Sequence, residues 1–270
     1  MKIAIIPNYS KVHTPQVTDE VIQLLLSMDC QIYFDEHLKT FLTSPSKGKC
    51  HFLPYHEMLN ECQAIIAIGG DGTVIHCAED AGKYDKPILG INTGRLGYVT
   101  ELEKNELELL RKLPNNDFTT EKRMMLRVEV ERKGTVVFSC NALNDAVVNK
   151  GTLSKIIDFE VFASENNICR YRSDGGPIVD PTMEGILLVP MCPHALSVRP
   201  VIFDRNTVLH ITAESVDNEI YLTVDGDKSV RIISGCQLTV QKSDVHITLI
   251  KLKNRDFYSV LNEKLCREMK

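Results

Sequence analysis

The chain has 270 residues, 43% of them hydrophobic, 25% charged and only 6% aromatic, with no tryptophan. That balance argues against a disordered chain, a collagen-like repeat or a small scaffold that needs disulfides or a metal to fold. The formal net charge of −5 argues against a broad electrostatic attraction to nucleic acid or an anionic membrane. Scarce aromatics leave no base-stacking surface for single strands.

In chain order, residues 3–6 form a short β-branched run of the kind buried in parallel sheets. Thr14 reads as a helix cap before Pro15, and Val17, Val21, Leu24, Leu25 and Met28 then recur at helical spacing. Residues 31–34 read as a second strand. Residues 64–68 form another apolar run that stops at Gly69-Gly70, followed by a helix over 73–81. A strand over 87–91 and a helix over 103–113 complete an alternation that predicts an open parallel sheet, with ligands at the carboxyl ends of its strands. Beyond the turn-rich Pro114-Asn115-Asn116, period-two alternation takes over, as in residues 126–131, 159–162, 206–212 and 220–224. Asp225-Gly226 is a hairpin signal. A strand over 245–250 and a helix over 257–265 close the chain, and Lys242, Lys251, Lys253 and Arg255 read as a solvated face there. The expected domains are residues 1–118 plus 246–270, and 119–245.

Nine cysteines without a C-x-x-C pair read as reduced thiols, and Cys50, His51 and His56 lack a second half for a metal site. The opening M-K-I-A-I-I-P-N is too short for a signal sequence and no stretch is long enough to cross a membrane, so a cytoplasmic protein without membrane partners is expected.

The run A-I-I-A-I-G-G-D-G-T-V-I sets three glycines around one acid directly after a strand. Gly69, Gly70, Gly72 and Thr73 can bring backbone amides close to a phosphate at a helix start. Asp71 beside them would hold a Mg²⁺ or accept a proton from an attacking hydroxyl. The other reading is a plain glycine turn with Asp71 as a helix cap. The loop is neither G-K-[ST] nor G-x-G-x-x-G.

From these residues onward the chain resembles the NAD kinases. G-G-D-G-T is also found in lipid kinases, but I-N-T-G-R-L-G-Y-V-T-E at 91–101 resembles the NAD kinase block. Arg123-Met124-Met125-Leu126, A-L-N-D at 142–145, Y-R-S-D-G at 171–175, the run at 187–200 and V-D-G-D at 224–227 follow in the family's order. The resemblance implies a Rossmann-like α/β domain plus an all-β, sandwich-like domain, with a C-terminal helix returning to the first. It implies phosphorylation of the adenosine ribose 2′-hydroxyl of NAD by ATP or polyphosphate, with Mg²⁺, in a dimer or tetramer. Asp71 becomes the acceptor or aligner for the 2′-hydroxyl, and the 69–73 loop the phosphate site. Asn144 and Asp145 match a ribose-binding N-E pair, with Asp one methylene shorter. Tyr98, Arg172, Asp174 and Asp225 are further expected NAD contacts.

The chain departs from the family between Asp174 and Pro177, where a segment resembling S-T-P-T-G-S-T-A-Y-S-L-S-A is absent. Loss of its contacts would misalign the hydroxyl and weaken or abolish turnover. A nucleotide-binding pseudoenzyme and a diacylglycerol-type lipid kinase are the alternatives.

Overall fold

The computed structural model describes residues 1–42, 45–94, 97–150, 158–163, 166–170, 179–190, 199–214, 220–233, 235–254 and 257–261. They form two compact units, residues 1–123 with 247–270, and residues 124–246.

The first unit contains β1 (Lys2–Pro7), α1 (Thr14–Leu26), β2 (Gln31–Asp35), β3 (His51–Leu53), α2 (Tyr55–Glu61), β4 (Ala64–Gly69), α3 (Asp71–Lys83), β5 (Ile88–Asn92) and β6 (Leu102–Glu103). Its parallel strands lie in the order β3-β2-β1-β4-β5. Ile5 faces Ile66 and Ile66 faces Leu89, so the β-branched runs share one buried register. Every residue of β4 and β5 is buried, as strands covered on both faces must be. The order reverses between β1 and β4. A crevice opens at such a point, outside the carboxyl ends of the strands.

Two local expectations change. Thr14 is not the cap of α1: His13 is, without a side-chain hydrogen bond, and the buried Thr14 hydroxyl lies 3.1 Å from that of Thr93. Residues 107–115 form a 3₁₀ rather than an α-helix. Leu107, Leu110 and Leu113 repeat every three residues, the 3₁₀ period, and turn toward the core of this unit. Pro114, lacking an N–H, ends the run before the left-handed Asn116.

The second unit continues from β7 (Thr119–Arg132) through β8 (Thr135–Ala142), β9 (Ala146–Lys150), β10 (Asp158–Ala163), β11 (Asn166–Arg170), β12 (Gly185–Leu188), β13 (Val201–Asp204), β14 (Leu209–Glu214), β15 (Ile220–Val224) and β16 (Lys228–Ile232) to β17 (Gln237–Lys251), with residues 119–123 of β7 and 247–251 of β17 belonging to the first unit. The pairs β7–β8, β9–β15, β10–β11, β10–β14, β12–β13, β14–β17 and β15–β16 are antiparallel. β14 lies between β10 and the first residues of β17, β15 between β9 and β16, and β7 forms a hairpin with β8. Val128, Ile211, Leu222 and Leu238, from four of these strands, share one core, which gives the unit its sandwich character. The fold is therefore an α/β unit plus an all-β unit.

The end of β17 corrects the reading of its lysines. Lys251 pairs at 2.6 Å with Glu101, whose side chain is only 4% exposed, and Lys253 pairs at 2.7 Å with Glu106. Glu101 also accepts the amides of Leu252 and Lys253 at 2.9 and 2.7 Å. Lys242 pairs with Glu184 at 2.9 Å, and Arg255 lies outside the described residues. After β17, residues 257–261 are helical.

The three-residue register of residues 107–115 has a direct check. Leu113→Ala should lower the unfolding free energy by about 2–5 kcal/mol in urea melts, whereas Glu108→Ala, on the solvent side, should change it by less than about 0.5 kcal/mol.

Candidate functional site

β4 ends at Gly69 and α3 begins at Asp71, so Gly70 alone joins them as the helix cap. The first amides of a helix have no acceptor within it, and its dipole favours an anion there. Here Thr73 N already donates to Gly70 O at 3.0 Å, leaving the amides at the very start of α3 for a ligand. A Cβ on Gly69 would sit 2.4 Å from Thr73 Oγ1 and 2.9 Å from Asn8 Cβ, so only glycine fits between them. The Thr93 hydroxyl donates to Gly69 O at 3.0 Å, which leaves Thr14 as the donor to Thr93. The loop is thereby tied to the segment after β5.

Asp71 is tied more firmly. Its Oδ1 accepts the amides of Val99 and Thr100 at 3.0 Å and the Thr100 hydroxyl at 3.2 Å, while Oδ2 accepts the Tyr98 amide at 2.6 Å. A Cβ on Gly97 would lie 2.1 Å from Asp71 Oδ1. The plain-cap reading is thus excluded: the carboxylate holds the 98–100 segment instead of its own helix. With three donors on Oδ1 and one on Oδ2, the acceptor capacity left to the carboxylate lies on Oδ2. Tyr98 is 42% exposed, and its ring packs on Phe257 at 6.1 Å between centroids.

Beside this loop a cleft of about 680 Å³ opens at the carboxyl ends of β1 and β2. Asn8, Asp35, Phe41, Tyr55, Thr73 and His76 are among its walls. Its size is that of a small-molecule site, with apolar walls and a few polar groups. Asp35 Oδ1 accepts both the His37 amide at 2.9 Å and His37 Nδ1 at 2.8 Å, and this bond, together with the Asp35 charge, raises the His37 pKa. Burial pushes the phenol of Tyr9, also in the wall, up to about 12. Of these cleft residues only Thr73, in the glycine loop, was singled out from sequence. The available signal was Asp35, the last residue of the second strand, where α/β folds place a ribose-binding acid.

The second unit brings Asn144, Asp145 and Asp225 together. Asp225 Oδ2 accepts Leu143 N at 2.8 Å, and its Oδ1 accepts the amides of Asn144 and Asp145 at 2.8 and 3.0 Å. Asn144 Nδ2 donates to Asp145 Oδ2 at 3.0 Å. Partial burial of the Asp145 carboxyl, and then the charge of Asp225, raise its pKa, although the residue keeps an exposed surface. Arg172, Asp174 and the junction before Pro177 lie outside the described residues, as do residues 191–198.

Among the described residues no three His, Cys, Asp or Glu side chains are grouped to hold a metal, and no helix is long and apolar enough to cross a membrane. His51 stacks on Tyr33 at 4.9 Å, and His56 Nδ1 lies 3.1 Å from Tyr84 Oη, so both are engaged in packing. Burial pushes the Cys50 thiol up to about 11.

Comparison with known proteins matches residues 3–118 to the ATP-NAD kinase N-terminal domain and residues 169–252 to the ATP-NAD kinase C-terminal domain. The NAD kinase of Geotalea daltonii is 30% identical over 285 aligned residues, and that of Citrifermentans bemidjiense 34% over 292, each match covering 98% of both chains. Both alignments are longer than this chain, so these relatives carry residues with no counterpart here. In fold, the chain is similar to yeast NADH kinase complexed with NADH, with a TM-score of 0.85 and 20% identity over 98% of this chain and 87% of that one. It is also similar to an NAD kinase from Archaeoglobus fulgidus in complex with ATP, with a TM-score of 0.70 and 22% identity over 98% of each chain.

The Asp35–His37 pair predicts a pH signature. A raised folded-state pKa contributes stability that is complete below the ordinary histidine value of 6.5 and is lost as pH rises through the raised midpoint. Following His37 by NMR should show that raised midpoint, and Asp35→Asn should bring it back toward 6.5. An unchanged midpoint in the variant would refute the pairing.

Proposed function

The chain belongs to the NAD kinase family of phosphotransferases, and from that premise we propose that it converts NAD to NADP with ATP as donor. The observation that carries this reading is the adjacency of a phosphate loop, a nucleoside-sized cleft and one oriented carboxylate. The β- and γ-phosphates rest on the amides that open α3, and the adenosine occupies the cleft reached through Thr73. This seat favours a nucleoside triphosphate over bare polyphosphate, because polyphosphate leaves the cleft walls without a partner.

The 2′-hydroxyl of the NAD adenosine ribose attacks the γ-phosphorus in line. A new O–P bond forms, the bond to the β–γ bridging oxygen breaks, and its electron pair leaves with ADP. Asp71 aligns that hydroxyl on Oδ2 and takes up its proton as the O–P bond forms, passing it on to solvent. Its four protein donors leave it little freedom to move, so orientation is its main contribution. Asn144 and Asp145 supply an amide and a carboxylate suited to ribose hydroxyls, and Tyr98 an aromatic face.

Mg²⁺ fits this arrangement as a companion of the nucleotide. It binds through few carboxylates plus substrate phosphates, and Asp35 is the acid lining the cleft. When bound, it neutralises charge on the phosphates. Assembly as a dimer or tetramer and a cytoplasmic location belong to this reading as features the family implies. The absent segment between Asp174 and Pro177 removes alignment from the acceptor side, so turnover is expected to be low.

Two outcomes test the proposal. In a coupled NADP assay, Asp71→Asn should lower kcat by about 100-fold while ATP binding, measured by calorimetry, changes little; turnover within a few-fold of the parent would remove Asp71 from its role. Inserting the family's segment before Pro177 should raise kcat/KM for NAD by about 100-fold. An insertion that leaves it unchanged would show that the shortened connection is not what limits the reaction.

A further inference from the structure

Residues 143–145 are the whole connection between β8 and β9. Three consecutive amides in so short a link have no ladder partners of their own, and one side chain takes all three: the carboxylate of Asp225. A return bond runs from Asp225 N to Asp145 O at 2.9 Å. The register explains the meeting. β15 pairs with β9 so that Val224 faces Ala146, which puts the residue after β15 beside the residue before β9. Asp225 itself sits at φ 52°, a left-handed conformation that costs a non-glycine residue free energy. The four bonds to the 143–145 link hold it there.

We propose that Asp225 is a positioning residue for the acceptor nucleotide: it fixes the backbone from which Asn144 and Asp145 reach the ribose of NAD and does not itself touch the dinucleotide. The proposal rests on the reading of Asn144 and Asp145 as ribose contacts. Three amides already occupy most of the acceptor capacity of the Asp225 carboxylate, two on Oδ1 and one on Oδ2. Asn144 and Asp145, in contrast, are exposed, and the bond from Asn144 Nδ2 to Asp145 Oδ2 sets their two polar ends side by side. The substitution of Asp for the Glu of the family pair sharpens the requirement. A side chain shorter by one methylene has fewer rotamers with which to make up an error in backbone placement. The clamp therefore carries more of the alignment here than a longer acid would need.

Three measurements on the full chain decide the matter. In hydrogen exchange without nucleotide, the amides of Leu143, Asn144 and Asp145 should be protected; exchange at open-loop rates would overturn the proposal whether or not any variant folds. Asp225→Asn and Asp225→Ala should raise KM and calorimetric Kd for NAD by about tenfold or more while KM for ATP stays within about twofold. An equal change for both substrates, or an unchanged Kd for NAD in a variant that has lost the protection, would overturn it. Finally, in the background Asn144→Ala with Asp145→Ala, adding Asp225→Ala should weaken NAD binding no further, because a residue that acts only through that pair has nothing left to align. A full additive loss would mean that Asp225 meets the ligand directly. If the parent chain forms no NADP, the kinase reading falls, while exchange and calorimetry still judge the clamp.

Discussion

A carboxylate bound to backbone amides organises the end of the first unit where β4 passes into α3. Asp71 accepts three consecutive amides and a hydroxyl from the segment at 98–100, and each hydrogen bond to a charged group contributes about 1.5–3 kcal/mol. Among the described residues its hydrogen bonds come from peptide amides and one hydroxyl, so its geometry is set largely by the peptide planes around it. The same contact joins two loops that each follow a parallel strand. The glycine loop after β4 and the glycine-rich stretch after β5 are therefore tied together, and Thr93 on Gly69 O adds a second tie.

This device recurs in two further places. Glu101 accepts the amides of Leu252 and Lys253 and pairs with Lys251, anchoring the residues just after the 98–100 segment to the end of β17. A buried ion pair of this kind is costly to break one-sidedly, because the remaining charge is left without a partner. Asp225 performs the corresponding task for the connection at 143–145. In each case the acid satisfies amides that have no ladder partner, where water or an irregular turn would otherwise have to do so. Short links between elements thus have their backbones held by anions. Less conformational freedom is then lost when substrate arrives.

Much of this was legible in the residues. The apolar runs at 3–6 and 64–68 announce buried parallel strands because β-branched side chains pack well on a sheet covered on both faces. G-G-D-G-T directly after such a run announces a strand end, a tight turn and a helix start. Other features were hidden for physical reasons. The leucines at 107, 110 and 113 fit α and 3₁₀ periods almost equally well, and Pro114 together with the packing chose the second. Lys251 and Lys253 alternate like a solvated face, yet their acidic partners lie about 150 positions earlier in the chain, beyond the reach of local pattern. Asp225 carried a hairpin signature and a family position, and neither reveals where its oxygens point.

The sequence by itself determined the strand character of the apolar runs at 3–6, 64–68 and 87–91, the order of the blocks and the family to which the chain belongs, because these follow from side-chain periodicity and from motif residues in consecutive positions. Only the tertiary structure decided what the acids do. A carboxylate's role depends on which donors surround it, and those donors are peptide amides, identical in every residue but proline. No arrangement of side-chain letters can show which of them will be brought within 3 Å.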